Sequence, residues 1–352
     1  MRVVFMGTPD FSVPSLQALI DHGYQVVGVF TQPDRPRGRG GKVQMSPVKE
    51  LALKHEIPVF QPLKIRKDGV EDLRSLAPDV CVTAAFGQIL SQEVLDVPKM
   101  GTVNVHASLL PKHRGAAPVQ WAILQGDPVT GVTTMLTDKG IDTGDMLLKA
   151  ETPIGPEDTA GSMLEKLSHV GADLLIETLK KMEAGNCPRE KQNQDESTYD
   201  PMLNKEMGLL HFEDDTRLCL NRVRAMSPWP CAYAPLAEGV LKVWRARAAE
   251  GHGRPGEIIH ADKKNGLVVA TGDGAMELCD VQAPNARRME KGFRPERREM
   301  IQVSPIPTSL RLPVPPRWMA RANWPGPFCA MCIRRGPMRP SAWTITCARR
   351  AA

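Results

Sequence analysis

The sequence predicts an α/β protein: a doubly wound, mostly parallel sheet, then a small β-barrel domain and an irregular C-terminal tail. Residues 2–6 and 25–30 (QVVGVF) are short apolar runs joined by a loop and a helix, the repeating unit of a parallel sheet. Residues 79–85 (DVCVTAA) are almost continuously apolar, as a strand covered on both faces must be. Beyond about residue 205 the helical period gives way to short strand-like pieces separated by Gly and Asp-Gly turns.

Length and composition bound the rest. A chain of 352 residues has room for two domains and a sizeable core. With 42% hydrophobic and 24% charged residues it falls among soluble globular proteins. No apolar run approaches the roughly 18 to 20 residues of a membrane span. Met1-Arg2 is followed by only four apolar residues before Gly7-Thr-Pro-Asp10, so no signal peptide is expected. Eight scattered Cys, with Cys81 inside an apolar run, fit a reduced, cytoplasmic protein. The net charge of +5 suggests nucleic acid until it is divided. Residues 287–352 carry 14 basic against three acidic groups, whereas the first 286 carry 31 against 37. The basicity belongs to the tail, so an RNA partner has to be argued from local patches.

Taken in order, Ser12 and Pro14 provide a cap and a first turn for a helix through Ile20. The preceding loop lacks Gly-x-Gly-x-x-Gly, which argues against a dinucleotide site. Residues 31–47 (TQPDRPRGRGGKVQMSP) form a long basic segment, read as a mobile loop over the sheet or as a solvated connector. A helix over 48–55, a strand over 58–60 and a helix over 70–76 lead to the 79–85 strand, which Phe86-Gly87 closes. Residues 119–124 read as a helix, and 131–137 and 145–150 as strands. Apolar residues at helical spacing predict a long helix over 159–183, stopped by Gly185. Polar residues 186–204 read as a linker. Then come a helix over 215–225, a break at Pro228-Trp-Pro230, and strands near 241–244, 256–260, 267–271 and 276–281. From about Met289 the chain turns Pro- and Arg-rich without periodicity, and no structure is assigned to it. Cys329-Ala-Met-Cys332 has no second Cys pair and no His in the tail to complete a metal site, and no metal is expected.

The chemistry centres on Asn104-Val-His-Ala-Ser-Leu-Leu-Pro111. Apolar Val103 and Val105 alternate with polar Asn104 and His106, the pattern of a half-buried strand, and Pro111 ends it. Amide and imidazole therefore leave one strand end together, where open α/β sheets bind ligands. Gly140-Ile-Asp-Thr-Gly144 places the carboxylate of Asp142 in a glycine-flanked turn. Each residue has a plainer reading: a satisfied strand histidine, an Asn that caps a turn, an Asx-turn aspartate. Together they suffice for acyl-group chemistry. Ser108 lacks the Gly-x-Ser-x-Gly setting of a nucleophile.

These residues resemble the folate-dependent formyltransferases. The likeness runs through Val4-Phe-Met-Gly-Thr-Pro-Asp-Phe11, Gly28-Val-Phe-Thr-Gln-Pro-Asp-Arg-Pro36, Asn104 to Pro111, Arg114-Gly-Ala-Ala-Pro118 and Asp142-Thr-Gly-Asp-Met146. It continues in Pro228-Trp-Pro230, Val243-Trp244 and Val269-Ala-Thr-Gly-Asp-Gly274, and covers about residues 2–286. The resemblance implies a Rossmann-like formyltransferase domain over 1–185, a linker over 186–204, a tRNA-binding β-barrel over 205–288 and a tail over 289–352. It implies 10-formyltetrahydrofolate as donor and the α-amine of initiator methionyl-tRNA as acceptor, in a monomer without a membrane partner. Asn104, His106 and Asp142 become the catalytic group. Phe86, Gly87, Ser108, Leu109, Leu110 and Pro111 would lie along the folate, and Arg35, Arg37, Arg39 and Lys42 against the tRNA. In this picture Asn104 and His106 serve the oxyanion, while Asp142 orients His106, favours its charged form and helps move the proton. The second domain has no pronounced basic excess, 12 basic against 11 acidic groups over 205–288. The tail departs from the family; a frameshift product, a lineage-specific extension and a disordered addition all fit its composition. Competing readings are a formyltransferase for a nucleotide sugar or purine precursor, a NAD-linked oxidoreductase and a non-catalytic RNA-binding protein.

Overall fold

Residues 1–37, 42–236, 239–262 and 265–290 are described by the structure, a computed structural model. The chain opens with β1 (Arg2–Gly7), α1 (Val13–Asp21) and β2 (Gln25–Phe30), then a two-stranded hairpin of β3 (Arg35–Arg37) and β4 (Lys42–Gln44). Next come α2 (Pro47–Lys54), β5 (Val59–Phe60), α3 (Ile65–Asp68), α4 (Val70–Ser75), β6 (Val80–Ala84), α5 (Gln92–Leu95) and β7 (Thr102–His106). β8 (Arg114–Gly115), α6 (Pro118–Gln125), β9 (Val129–Leu136), β10 (Met146–Pro153) and the long α7 (Ala160–Glu183) complete the first half.

The main sheet runs β10-β9-β7-β6-β1-β2-β5. Its five inner-to-edge strands from β7 to β5 are parallel, and β9 runs antiparallel to both of its neighbours. The expected mostly parallel, doubly wound sheet is therefore present, with β6 at its centre. Winding starts at β1, moves outward to β2 and β5, then returns to the other side for β6 and β7. The switch point lies between the carboxyl ends of β1 and β6, where such sheets receive ligands.

Burial explains the strand composition. Val3 to Met6 and Val80 to Val82 are wholly buried because helices cover both faces. β7 is buried on both faces as well, not half-buried as its alternation suggests; only Asn104 is partly open. An interior strand carries polar residues only where they have a partner or a use. Ser12 likewise departs from the expected cap. Its hydroxyl donates to Ala84 O (2.6 Å) and receives the Thr8 N–H (3.4 Å), tying the ends of β1 and β6 together. The long helix is capped as its sequence demands, by a reciprocal Thr159–Ser162 box.

Beyond α7, β11 (Tyr199–Asp200) pairs in parallel with β8, so residues 186–204 are woven into the first half and are no simple linker. The second half holds α8 (Thr216–Ala225), β12 (Ala232–Leu236), β13 (Gly239–Ala249), β14 (Ile258–Asp262), β15 (Gly266–Ala270) and β16 (Ala275–Gln282). The expected barrel takes the form of a five-stranded antiparallel sheet in the order β12-β13-β16-β15-β14. Pairing shifts within β13 and β14 bend it, as bulges do. β12 was hidden in the sequence because it contains Pro235, which an edge strand tolerates and a central one does not. One continuous apolar cluster runs from Val3 and Phe5 through Leu175 to Phe212, Val243 and Val269. Residues 291–352, including Cys329 and Cys332, lie outside the described residues.

Ser12→Ala is expected to lower unfolding free energy by roughly 1–3 kcal/mol, because it removes a buried donor from Ala84 O. Urea denaturation of the variant beside the wild type measures the loss.

Candidate active site

Strands apolar on both faces can offer chemistry only at their ends. Parallel register sets Thr83 of β6 beside Asn104 of β7, so the two strands finish level. The Thr83 hydroxyl donates to Asn104 Oδ1 at 2.9 Å, which leaves the amide Nδ2 available to donate. Two residues on, along the same face, His106 is buried with 6% of its surface exposed.

His106 Nε2 lies 2.9 Å from the carbonyl of His113. A carbonyl can only accept, so Nε2 carries the proton and donates it. The nitrogen left without a hydrogen bond to the protein is therefore Nδ1, which faces Asp142 Oδ2 at 3.7 Å. That distance makes an ion-pair contact but is too long for a hydrogen bond. The same Oδ2 accepts the Gly115 N–H at 2.9 Å instead. Asp142 sits at φ +52°, a left-handed conformation that aspartate accepts more readily than most residues. Its turn is braced by Asp138 Oδ1, which accepts from Gly140 N (3.0 Å) and the Thr143 hydroxyl (2.7 Å). Gly144 closes it against β9, where a Cβ would stand 1.7 Å from Leu136 O.

A polar layer missed by sequence reasoning lies behind these groups. His113 Nδ1 meets Asp200 Oδ2 at 2.7 Å, and Nε2 meets Asp127 Oδ2 at 2.8 Å. Burial opposes a charge on this ring, but hydrogen bonds to Asp127 and Asp200 outweigh it and push His113 up to about 9. Burial pushes the Asp200 carboxyl up as well, against the pull of His113; two carboxylates at hydrogen-bond distance from one ring favour the imidazolium. Arg114 donates from Nε to Gln192 Oε1 and from Nη1 to Gln194 Oε1, both at 2.9 Å. Burial holds Arg114 below the usual guanidinium range, against the opposing pull of Asp142 and Asp138. No sequence signal marks Asp200 or Gln192, which lie 48 to 87 residues from the groups they touch.

The chain's relatives now bear on this geometry. Family models described as "Formyl transferase" and "Formyl transferase, C-terminal domain" match residues 1–179 and 202–292. A methionyl-tRNA formyltransferase of Clostridioides difficile (strain 630) is 47% identical over 315 residues, 89% of this chain and 100% of that protein. The methionyl-tRNA formyltransferase of Geotalea daltonii is 51% identical over 293 residues, 83% of this chain and 94% of the other. This chain belongs to the methionyl-tRNA formyltransferase family.

Solved structures similar to it share the formyltransferase fold at lower identity. WlaRD, a sugar 3N-formyltransferase crystallised with dTDP and 5-N-formyl-THF, superposes with a TM-score of 0.61 at 20% identity, over 82% of this chain and 99% of that one. HypX from Aquifex aeolicus in complex with tetrahydrofolic acid gives 0.57 at 19% identity, over 82% of this chain; the match spans 46% of HypX. At such identities the likeness speaks for the fold alone.

The structure thus brings Asn104, His106 and Asp142 to one strand edge. Of the residues expected along a folate, Gly87 is exposed and Leu109 half-buried, whereas Phe86, Ser108, Leu110 and Pro111 are buried. The Ser108 hydroxyl donates to Lys112 O at 2.8 Å and its carbonyl accepts from the Thr133 hydroxyl at 2.7 Å, so it shapes its own loop. Leu110 packs with Met135 and Met146. Within the basic segment, read from the sequence as a loop, β3 and β4 pair antiparallel, and Arg35 there is exposed. The segment's base is fixed where Lys49 Nζ meets Asp34 (2.6 Å) and Gln61 (2.7 Å), and the bonds to Asp34 from Lys49 and from Gln61 Nε2 (2.9 Å) draw it below the usual carboxylate range. Arg39 lies outside the described residues.

Because the folded pKa of His113 is raised, its contribution to stability is complete below about 6.5 and is lost as pH rises through about 9. The denaturation midpoint should therefore fall more steeply between pH 7 and 9 in the wild type than in His113→Gln. Parallel slopes in the two proteins would contradict this.

Proposed function

We propose that this chain transfers a formyl group from 10-formyltetrahydrofolate to the α-amine of initiator methionyl-tRNA, in the cytoplasm and as a monomer. The observation that carries the reading is the meeting of Asn104, His106 and Asp142 at one strand edge, in a chain matched over both halves by methionyl-tRNA formyltransferases. In this reading residues 1–185 hold the chemistry and 205–288 grip the tRNA, with 289–352 outside both roles.

Ile89, two residues from Gly87, and Ile141, adjoining Asp142 in the chain, are 73% and 58% exposed, large apolar side chains that a flat heteroaromatic donor would cover. Phe86, Gly87 and Leu109 would flank the donor, with Ser108, Leu110 and Pro111 supporting them from behind. The folate supplies the activated formyl carbon and, in its N10, the leaving nitrogen.

The chain's own groups divide the remaining work. Free α-amines titrate near 7.7 to 8.0, so part of the acceptor is already neutral at cellular pH. Asn104 Nδ2, freed by the Thr83 bond to its oxygen, donates to the formyl oxygen as that atom gains charge. His106, with its Nε2–H committed to His113, begins with a bare Nδ1 that can take the proton from the attacking amine. Once it holds both protons it can join Asn104 at the oxyanion or pass Nδ1–H to the leaving nitrogen. Asp142, 3.7 Å away, balances the ring's charge in that interval. His106 therefore acts as a base before it acts as a donor.

Specificity for tRNA falls to Arg35, Arg37, Arg39 and Lys42 of the basic segment, and to local patches of the second domain. Phosphate contacts of this kind weaken with salt.

Incubation with 10-formyltetrahydrofolate and charged initiator or elongator methionyl-tRNA should give formylmethionyl-tRNA, preferentially from the initiator. Formylation of a nucleotide amino sugar, and of neither tRNA, would replace this reading with the sugar-enzyme one. His106→Ala or Asp142→Ala should lower kcat by about 10²- to 10⁴-fold, and Asn104→Ala by roughly 10²- to 10³-fold. Arg39→Ala should raise KM for tRNA and flatten its salt dependence, leaving KM for the folate unchanged.

A further inference from the structure

We propose that residues 192–200, between the two sheets, are a positioning segment of the active site: Asp200 fixes His106 through His113, and Gln192 fixes Asp142. The proposal rests on the formyl-transfer reading above, and extends it to residues outside the catalytic edge.

Two routes run from this segment to the site. Along the first, the Asp200 carboxylate holds His113 Nδ1 (2.7 Å), and the His113 carbonyl takes the Nε2–H of His106 (2.9 Å). Thr198 secures the same turn, since its hydroxyl accepts the His113 N–H (2.7 Å) and its carbonyl the Arg114 N–H (3.0 Å). Orientation of the His106 ring, and the choice of Nδ1 as its working nitrogen, therefore depend on where His113 is held. Along the second route, Gln192 Nε2 donates to the carbonyls of Asp142 and Gly144, both at 2.8 Å, while its Oε1 accepts from Arg114 Nε at 2.9 Å. One carboxamide thus joins the Asp142 turn to β8, which directly follows His113.

The strands are brought together at Gly115. It sits at φ +109°, and a Cβ there would stand 2.3 Å from Asp200 O. Only glycine lets β8 and β11 pair this closely, and the Gly115 N–H that results is the one that binds Asp142. The groups facing His113 come from every side: Asp200 from β11, Asp127 from beyond α6, and His106 from β7. Asp200 is 2% exposed and Gln192 7%. A connector that served only as a spacer would keep a carboxylate and a carboxamide in water, where their hydration costs nothing.

The test uses the full chain, with 10-formyltetrahydrofolate and initiator methionyl-tRNA. Wild-type protein is assayed first; if it forms no formylmethionyl-tRNA, the functional reading fails and the positioning role of the segment falls with it. Given wild-type transfer, Asp200→Asn and Gln192→Ala should each lower kcat by roughly 10- to 100-fold through misplacement of the reacting groups. KM for both substrates should stay within about twofold, since neither residue touches substrate. In protein carrying ¹⁵N-histidine, the His106 nitrogens should report a single Nε2–H tautomer in the wild type and a mixture in Asp200→Asn. A role confined to stability would lower the unfolding midpoint and leave those shifts in place. Should Asp200→Asn fail to fold, kcat of Gln192→Ala decides alone. Wild-type kcat in the folded variants, with His106 shifts unchanged where Asp200→Asn folds, overturns the proposal while leaving the formyltransferase reading intact.

Discussion

The bond from His106 Nε2–H to the carbonyl of His113 is the constraint on which the rest of the site depends. It consumes one ring nitrogen and leaves only the other for the proton exchange proposed for this ring. That assignment holds only while His113 stays put, and His113 is held as an imidazolium between Asp127 and Asp200. Burying a charge is expensive, and leaving a buried one with a missing partner costs about 3–5 kcal/mol. The three groups therefore form a unit that resists rearrangement, well suited to keep a neighbouring turn in one position. Distance supports the same view, since Asp142 faces Nδ1 without a hydrogen bond and so leaves that nitrogen free to exchange a proton.

The fold makes such a site possible by what it excludes. β1 and β6 are sealed on both faces, so polar groups gather at their carboxyl ends. There Ser12 and Thr8 stitch β1 to the β6 end, and Gln32 reaches the carbonyls of Phe86 and Gly87 at 3.2 and 3.0 Å. These bonds tie the edge together before any substrate arrives. Preorganisation of this kind would let the donor role proposed for Asn104 Nδ2 proceed without reorganisation during the reaction. The second sheet shares the apolar cluster of the first, so the segment between them, 186–204, is held at both ends.

Much of this was legible in the chain. Apolar runs located the central strands, helical spacing located α7 within a residue or two, and the Asn104 to Pro111 stretch with Asp142 pointed to acyl chemistry. The misreadings share a cause. Ser12 follows the pattern of a helix cap, yet its hydroxyl serves a strand 72 residues away. β12 carries a proline, and within the largely exposed stretch 186–204 the polar Gln192 and Asp200 are buried against partners, whereas polarity in a sequence ordinarily means exposure. Local pattern reports which residues prefer water, not which polar groups will find each other.

By itself the sequence determined the α/β class, the order of strands and helices, and the residue types gathered for chemistry, because periodicity and turn composition are local properties. Tertiary structure decided which nitrogen of His106 is already bonded, that Asp142 contacts the other without bonding to it, and that Asp200 and Gln192 reach His113 and the Asp142 turn from far along the chain. Those facts depend on side-chain geometry between groups separated by 7 to 87 residues, and on glycine-permitted contact of β8 with β11. No local pattern encodes such contacts; they exist only once the sheet has set its edges side by side.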